Sequence, residues 1–404
     1  MAALSAPAAP PIETRPRTGV FIGLLAAGGL FLLLALAAFL HFEHSGHIAT
    51  GMDNQIVWGI PHVFAVFLVV AASGVLNVAS IGSVFGKPDY KARAPLSGLL
   101  ALTMMAGGLV VLAADLGRPD RLLVAVTHFN FKSIFALNML FYSGFFAIVA
   151  AYLVTLMNRR LNPYARALGF LAFFWRLALT TATGSIFGFL IARSAYGSAL
   201  MAPMFIIYSF AYGLAAFLIV QSAMYAWNGL ASNARVLARM KNLLAVFVGA
   251  ALYFTVVMHL TNLYFAKQIA YERFLLLDGG VYTTAFWFGQ IGLGGVLPLA
   301  LLLIPGAGQT RVVIASALVT LGGLAQMFVT IVGGQAFPLD LFPGHAVSSR
   351  FQDGIVNAYA PVPGEFALGF GGFAFAFLIT VIAVRVLPFL PRDAADASAL
   401  KTTD

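Results

Sequence analysis

Cysteine is absent from the 404 residues, and charge is scarce: Asp, Glu, Lys and Arg together make 9% of the chain. Without thiols there is no disulfide, no thiolate-held iron–sulfur cluster, no Cys-type zinc site and no thiol nucleophile, so any redox centre is non-thiolate or belongs to a partner. Soluble domains carry roughly 25% charged and 45–50% apolar residues. This chain is 61% hydrophobic, and its apolar surface needs lipid to cover it. A water-soluble fold is excluded. Acids are the scarcer sign, 14 against 23 Lys and Arg. The positive excess sits in short turns between apolar runs, where it sets membrane orientation and does not mark a nucleic-acid surface. The 40 Gly and 18 Pro lie among Leu, Phe and Ala, as packed transmembrane helices allow.

What is present is a series of apolar runs, each near the roughly 20 residues needed to cross a hydrocarbon core. Ten are expected, near 20–41, 57–81, 95–114, 134–157, 167–192, 203–229, 242–266, 281–304, 311–334 and 366–387. The chain is thus all-α, one integral membrane domain over 1–404. Spans two to five (57–192) are expected to form one four-helix bundle and spans six to nine (203–334) a second, with 20–41 as an anchor and 366–387 as the last helix. The first run is too long for a signal peptide and lacks a clean cleavage site. On alternate sides of this layout, fifteen Lys and Arg fall with the N-terminus and seven opposite, with Arg176 inside a span. Positive residues favour the cytoplasm, so the tails 1–19 and 388–404 are both expected there, in a multi-pass protein of a bacterial inner membrane. The polar outer loops, 41–54, 115–132, 267–280 and 335–365, are all shorter than a folded domain.

Ionisable groups at membrane depth cost about 2.5–3.5 kcal/mol each on insertion scales, so the few present carry information. His62 follows Trp58-Gly59-Ile60-Pro61 near the outer end of span two; imidazole trades protons near neutral pH, and Pro61 frees a carbonyl. Span three ends outward in Asp115-Leu116-Gly117-Arg118-Pro119-Asp120-Arg121, level with His62. Asp115 or Arg118 either caps the helix at the interface or forms a wall with His62. Asn138 and Tyr142 in span four are four residues apart and share a helix face. With His62 and Asp115 they would converge on a small redox ring with two oxygens, one histidine or carboxylate passing the proton. Arg176, followed by Thr180, Thr181, Thr183 and Ser185, either reaches back to the surface or pairs inside the bundle. His259 in span seven could join His62 as axial ligands of a b-type haem. His41, His44 and His47 have the donors for a metal, but Gly46 breaks the helix between them; a wet loop covered by a partner suits them better.

The stretches 57–62, Ala72-Ser73-Gly74, Asp115-Leu116-Gly117-Arg118-Pro119 and Phe131-Lys132-Ser133 resemble the NrfD/PsrC family, the quinone-binding membrane subunits of respiratory oxidoreductases such as polysulfide reductase. The likeness covers about 50–390. The ten-span count is similar to the DsrP, HybB and alternative-complex-III members. The resemblance implies exchangeable menaquinone or ubiquinone bound in spans two to five. It implies partner subunits carrying iron–sulfur clusters (ferredoxin-like), multihaem cytochrome or molybdopterin. By motif the family's histidine and acid fall on His62 and Asp115, while Arg118, Asn138, Tyr142 and Arg176 complete the candidate quinone contacts. A polar route from the cytoplasm could begin at Asn77, Ser80 and Ser83. A secondary transporter is the main alternative in another class; it would need matched broken helices in an internal repeat.

Overall fold

A computed structural model describes residues 13–391 apart from 15, 16, 231, 307 and 340–353. The outermost parts of both tails and the middle of the loop 335–365 lie outside the described residues. Ten helices are long and apolar enough to cross a membrane: α1 Thr18–Ser45, α2 Ile60–Ser83, α3 Ala94–Ala114, α4 Ile134–Met157, α5 Asn162–Gly188, α6 Met201–Trp227, α7 Ala234–Tyr264, α8 Val281–Leu303, α9 Gln309–Ala336 and α10 Pro363–Val386. The all-helical integral membrane fold matches the expectation, including the separation of spans five and six at residues 189–200. Helices overrun the apolar cores, as at Ala234, because backbone groups at the interface still gain by pairing along the helix.

Packing runs in sequence order and then closes. α2 packs on α3, α3 on α4, α4 on α5, and α5 back on α2; α6, α7, α8 and α9 meet in the same cyclic way. α2 also lies against α6, while α1 packs on α10 and α10 on α2 and α3. Burial follows: 89% of the apolar window of α2 is buried against 11% for α1, so α2 is the hub and α1 lies at the periphery. In hydrocarbon, apolar attraction between helices is weak and close backbone approach takes over. At the α2–α6 crossing a Cβ on Gly74 would fall 1.5 Å from Ser209 O, and one on Gly213 2.1 Å from Val75 N. Only glycine fits that contact.

The helices alternate in direction, so α2, α4, α6, α8 and α10 start at one end of the molecule and α3, α5, α7 and α9 finish there. This site end is tied together over long sequence distances. Gln335 at the end of α9 accepts from the Val57 and Trp58 N–H groups at 3.0 and 3.1 Å and donates to Trp58 O at 3.0 Å. Arg193 donates to Gln335 O and Gln55 O at 2.9 and 2.8 Å, and burial lowers its pKa. At the opposite end the buried Arg93 donates to Gln221 Oε1 at 3.0 Å and to Asp89 O at 2.6 Å.

Candidate functional site

The first turn of α2 sets the position of His62. Pro61 stands where a helix has no partner for an N–H, and the Ile60 N–H donates to Tyr359 Oη at 2.9 Å. Tyr359 donates in turn to Glu365 Oε1 at 2.6 Å. Burial first, then the Glu365 carboxylate, raise the Tyr359 pKa, so its hydroxyl keeps its proton. Gly59 fits closely here, since a Cβ would lie 2.5 Å from that hydroxyl and one of the two would have to shift. Asp115 caps the far end of α3, its N–H donating to Val111 O at 2.9 Å. The two ends meet: His62 Nδ1 and Asp115 Oδ2 are 2.8 Å apart. With Nδ1 committed to the carboxylate, Nε2 is the ring nitrogen left for another partner.

His62 lines a cavity of about 430 Å³ together with Trp58, Asn138, Tyr142, Thr183 and Phe187, and with leucines from α3. Small-molecule sites span roughly 300–1,000 Å³. The Trp58 indole lies nearly parallel to the His62 ring, centroids 5.7 Å apart at 15°, and Phe135 and Phe187 flank it at 6.0 and 6.1 Å. These flat apolar walls, with a few polar atoms among them, fit an aromatic ring that carries oxygens.

The remaining candidates divide. Tyr142 lines the cavity, as does Asn138. The Asn138 amide nitrogen, however, donates to Ile134 O at 2.9 Å and Ala182 O at 3.1 Å, which leaves Oδ1 as its remaining function. Arg118 turns outward into a two-point pair with Asp120, at 3.0 and 2.9 Å, both side chains exposed; that hydrogen bond raises the Arg118 pKa and lowers that of Asp120. Arg176 is 1% exposed and neither reaches the surface nor lines this cavity. Its guanidinium carbon stands 5.0 and 5.2 Å from the Phe173 and Phe210 ring centres, and Nε and Nη1 have no hydrogen-bond partner. Cation–π contact is its visible compensation.

His259 does not share the His62 cavity. It pairs through Nδ1 with Glu272 Oε2 at 2.7 Å, Asn262 donates to the other carboxylate oxygen at 2.7 Å, and the adjoining cavity is about 20 Å³. Among the described residues no group of three or more His, Asp or Glu is placed to hold a metal ion. Sequence reasoning missed Trp58 and Thr183 as cavity walls, and Gln335, Tyr359 and Glu365 as the clamp beneath them. Trp58 had a signal, its place four residues before His62 in the same stretch; the clamp residues had none.

The profile of the polysulphide reductase, NrfD, family matches residues 48–339. The chain belongs to the NrfD family. It is 27% identical over 354 residues to the Hdr-like menaquinol oxidoreductase integral membrane subunit of Archaeoglobus fulgidus, covering 86% of this chain and 88% of that one. It is 28% identical over 413 residues to a putative dimethyl sulfoxide reductase membrane subunit of Halobacterium salinarum, covering 94% and 93%. A polysulfide reductase subunit of Wolinella succinogenes is 22% identical over 311 residues, covering 70% and 96%. These NrfD relatives are all named as parts of oxidoreductases, the first two as membrane subunits.

Proposed function

We propose that this chain is the quinone-reactive membrane subunit of a multisubunit respiratory oxidoreductase, with the ring held among α2–α5 at the site end, and that this end faces the outside of a bacterial inner membrane. The observation that carries the reading is the His62–Asp115 pair at 2.8 Å on the wall of an aromatic-lined cavity. Bound quinol supplies two electrons and two protons. His62 Nε2 is the atom available to take the two ring-hydroxyl protons one after the other, passing each to the exposed surface before taking the next, and Asp115 on Nδ1 stabilises the imidazolium formed each time and fixes the ring's orientation. Trp58 and Phe187 keep the ring plane between apolar walls and exclude water. The electrons pass to an iron–sulfur cluster or haem on a partner, since this chain has no cysteine to hold a cluster; in the reverse direction His62 delivers the two protons in turn, each taken up from the exposed surface. Menaquinone is favoured by the Archaeoglobus relative's name, and sulfur compounds as terminal substrate by the dimethyl sulfoxide and polysulfide reductase relatives.

The test is His62→Ala and Asp115→Asn in the intact complex. Loss of a positioned acid–base group typically costs about 10²–10⁴-fold, and quinol turnover is expected to fall by about 10² or more in both variants while electron transfer within the partner subunits is kept. Unchanged turnover in both would remove this site.

A further inference from the structure

Arg176 lies in the middle of α5, about 20 Å from either end of Asn162–Gly188 at 1.5 Å per residue. A cation at that depth in a membrane is costly. α5 packs on α2, α4 and α6, and none of these four helices contains an Asp or Glu. The guanidinium therefore has two phenylalanine faces beside it and no carboxylate on any helix that it meets. With Nε and Nη1 also lacking hydrogen-bond partners, neither packing nor pairing accounts for a charge at this position.

The charge stands in a polar seam. Along the α2–α5 contact, polar side chains run from the ring cavity toward the opposite end. Thr183 lines the cavity. One turn on, Thr180 Oγ1 and Ser73 Oγ are 2.5 Å apart and lie 2.8 and 3.0 Å from Arg176 O. The guanidinium, held over Phe173, is on the far side of that pair from the cavity. Asn77 follows Ser73 by one turn on the same face of α2; it is buried, and its Nδ2 has no hydrogen-bond partner. Further along, Ser83 and Tyr152 meet at Gly169, where a Cβ would fall 2.8 Å from Ser83 Oγ and 3.3 Å from Tyr152 Cε2. Hydroxyls and an amide thus reach from the cavity toward the opposite face, with one guanidinium among them.

A line of hydroxyls with water among them can hand protons on, but a guanidinium cannot join it, because arginine does not give up its own proton in proteins. A fixed positive charge in such a line repels an arriving proton, as arginine does in water-selective pores. Proton relays at membrane depth are built from Asp, Glu and His, and beyond His62 the helices of this seam contain none. We infer that Arg176 is a proton barrier: its charge closes the α2–α5 seam, so the ring cavity exchanges protons with the site end and not with the opposite face. The polar route that Asn77, Ser80 and Ser83 could begin stops at this charge. The consequence for catalysis rests on the reading of the cavity as the ring site, since both protons of a quinol then leave at the site end; the barrier itself does not.

The test is passive proton flux into liposomes that hold the full chain and a trapped pH dye, driven by a potassium diffusion potential with no quinone present. The parent is expected to match protein-free liposomes. Arg176→Gln removes the charge and leaves room for water among polar groups, and should raise the flux by about tenfold or more. Asn77→Asp keeps Arg176 and gives it a counter-charge, and should raise the flux in the same way; it carries the test if Arg176→Gln does not fold. Phe210→Ala opens space beside the guanidinium and keeps its charge, so its flux should stay within about twofold of the parent's. Flux no higher than the parent's in the folded charge variants overturns the barrier. An equal leak through Phe210→Ala also overturns it, by making the seal a matter of packing. A parent that conducts and is silenced by Arg176→Gln overturns it in the other sense, by making Arg176 part of a proton path. His62→Ala should leave passive flux at the parent's level and is read by quinol turnover, so the ring site and the barrier fail in separate measurements.

Discussion

Two parts of the molecule hold the same chemical pair and differ in the space beside it. His62–Asp115 on α2 and α3 and His259–Glu272 after α7 both join Nδ1 to a carboxylate, at 2.8 and 2.7 Å, at the same end of the protein. Beside the first is a cavity of about 430 Å³, beside the second one of about 20 Å³. A water needs roughly 10–15 Å³, so the second void admits a water and no ring. The first pair keeps one member 20% exposed, whereas Glu272 is sealed at 0% and has both oxygens engaged, by His259 and Asn262. A histidine–carboxylate pair is therefore not by itself a site. The pair that leaves a nitrogen facing a ring-sized void is the candidate, and the closed pair ties α7 to the segment that follows it.

The sharpest way to break that contrast is to truncate the closed pair. Glu272→Ala leaves His259 and Asn262 without their acceptor, and removing one member of a buried pair costs about 3–5 kcal/mol. A large drop in thermal unfolding midpoint is expected, with the affinity of any protein that remains folded for a tailless quinone within about twofold of the parent. A variant of ordinary stability that had lost quinone binding would reverse the roles assigned to the two pairs. Next in size is Gly59→Ala, which acts on the open pair from below. The added methyl meets the Tyr359 hydroxyl and Glu365, so the turn carrying Trp58 and His62 must move. A displacement of about 1 Å can cost about 10²-fold in rate, and the loss should appear in turnover and ring affinity with only a modest fall in stability.

That clamp marks where the sequence stops being legible. The ten spans could be read because the bilayer demands a run of apolar residues of fixed length, and no loop in this chain imitates one. His62 and Asp115 could be set at one level because helix direction alternates, and the Asp115–Pro119 stretch has a family resemblance. By contrast, Gln335 and Tyr359 reach residues 57–60 across some 300 positions, with Glu365 behind Tyr359, and no local pattern encodes that contact. Side-chain direction was equally hidden: Arg118 is three residues from Asp115 yet turns to Asp120, because a guanidinium has a carboxylate two residues away in open solvent. Arg176 took neither expected course, since the residues that receive it, Phe173 and Phe210, come from its own helix and from α6.

The smallest expected effect is also the most informative about the open cavity. Thr183 Oγ1 lies 3.2 Å from Asn138 Oδ1 and 2.9 Å from Leu179 O. Both donor hydrogens of Asn138 are spent on Ile134 O and Ala182 O, so Oδ1 is the atom by which Asn138 can accept from a ring hydroxyl. Thr183→Val keeps the shape and removes the hydroxyl. A hydrogen bond is worth about 0.5–1.5 kcal/mol net, so the affinity for a tailless quinol, whose ring hydroxyl can donate to Oδ1, should fall by a few-fold. Combining Thr183→Val with His62→Ala shows what that shift means. If His62 and Asn138 hold opposite oxygens of the ring, the two losses add to within about 0.5 kcal/mol. If both act on one oxygen, the second substitution costs less than it does alone.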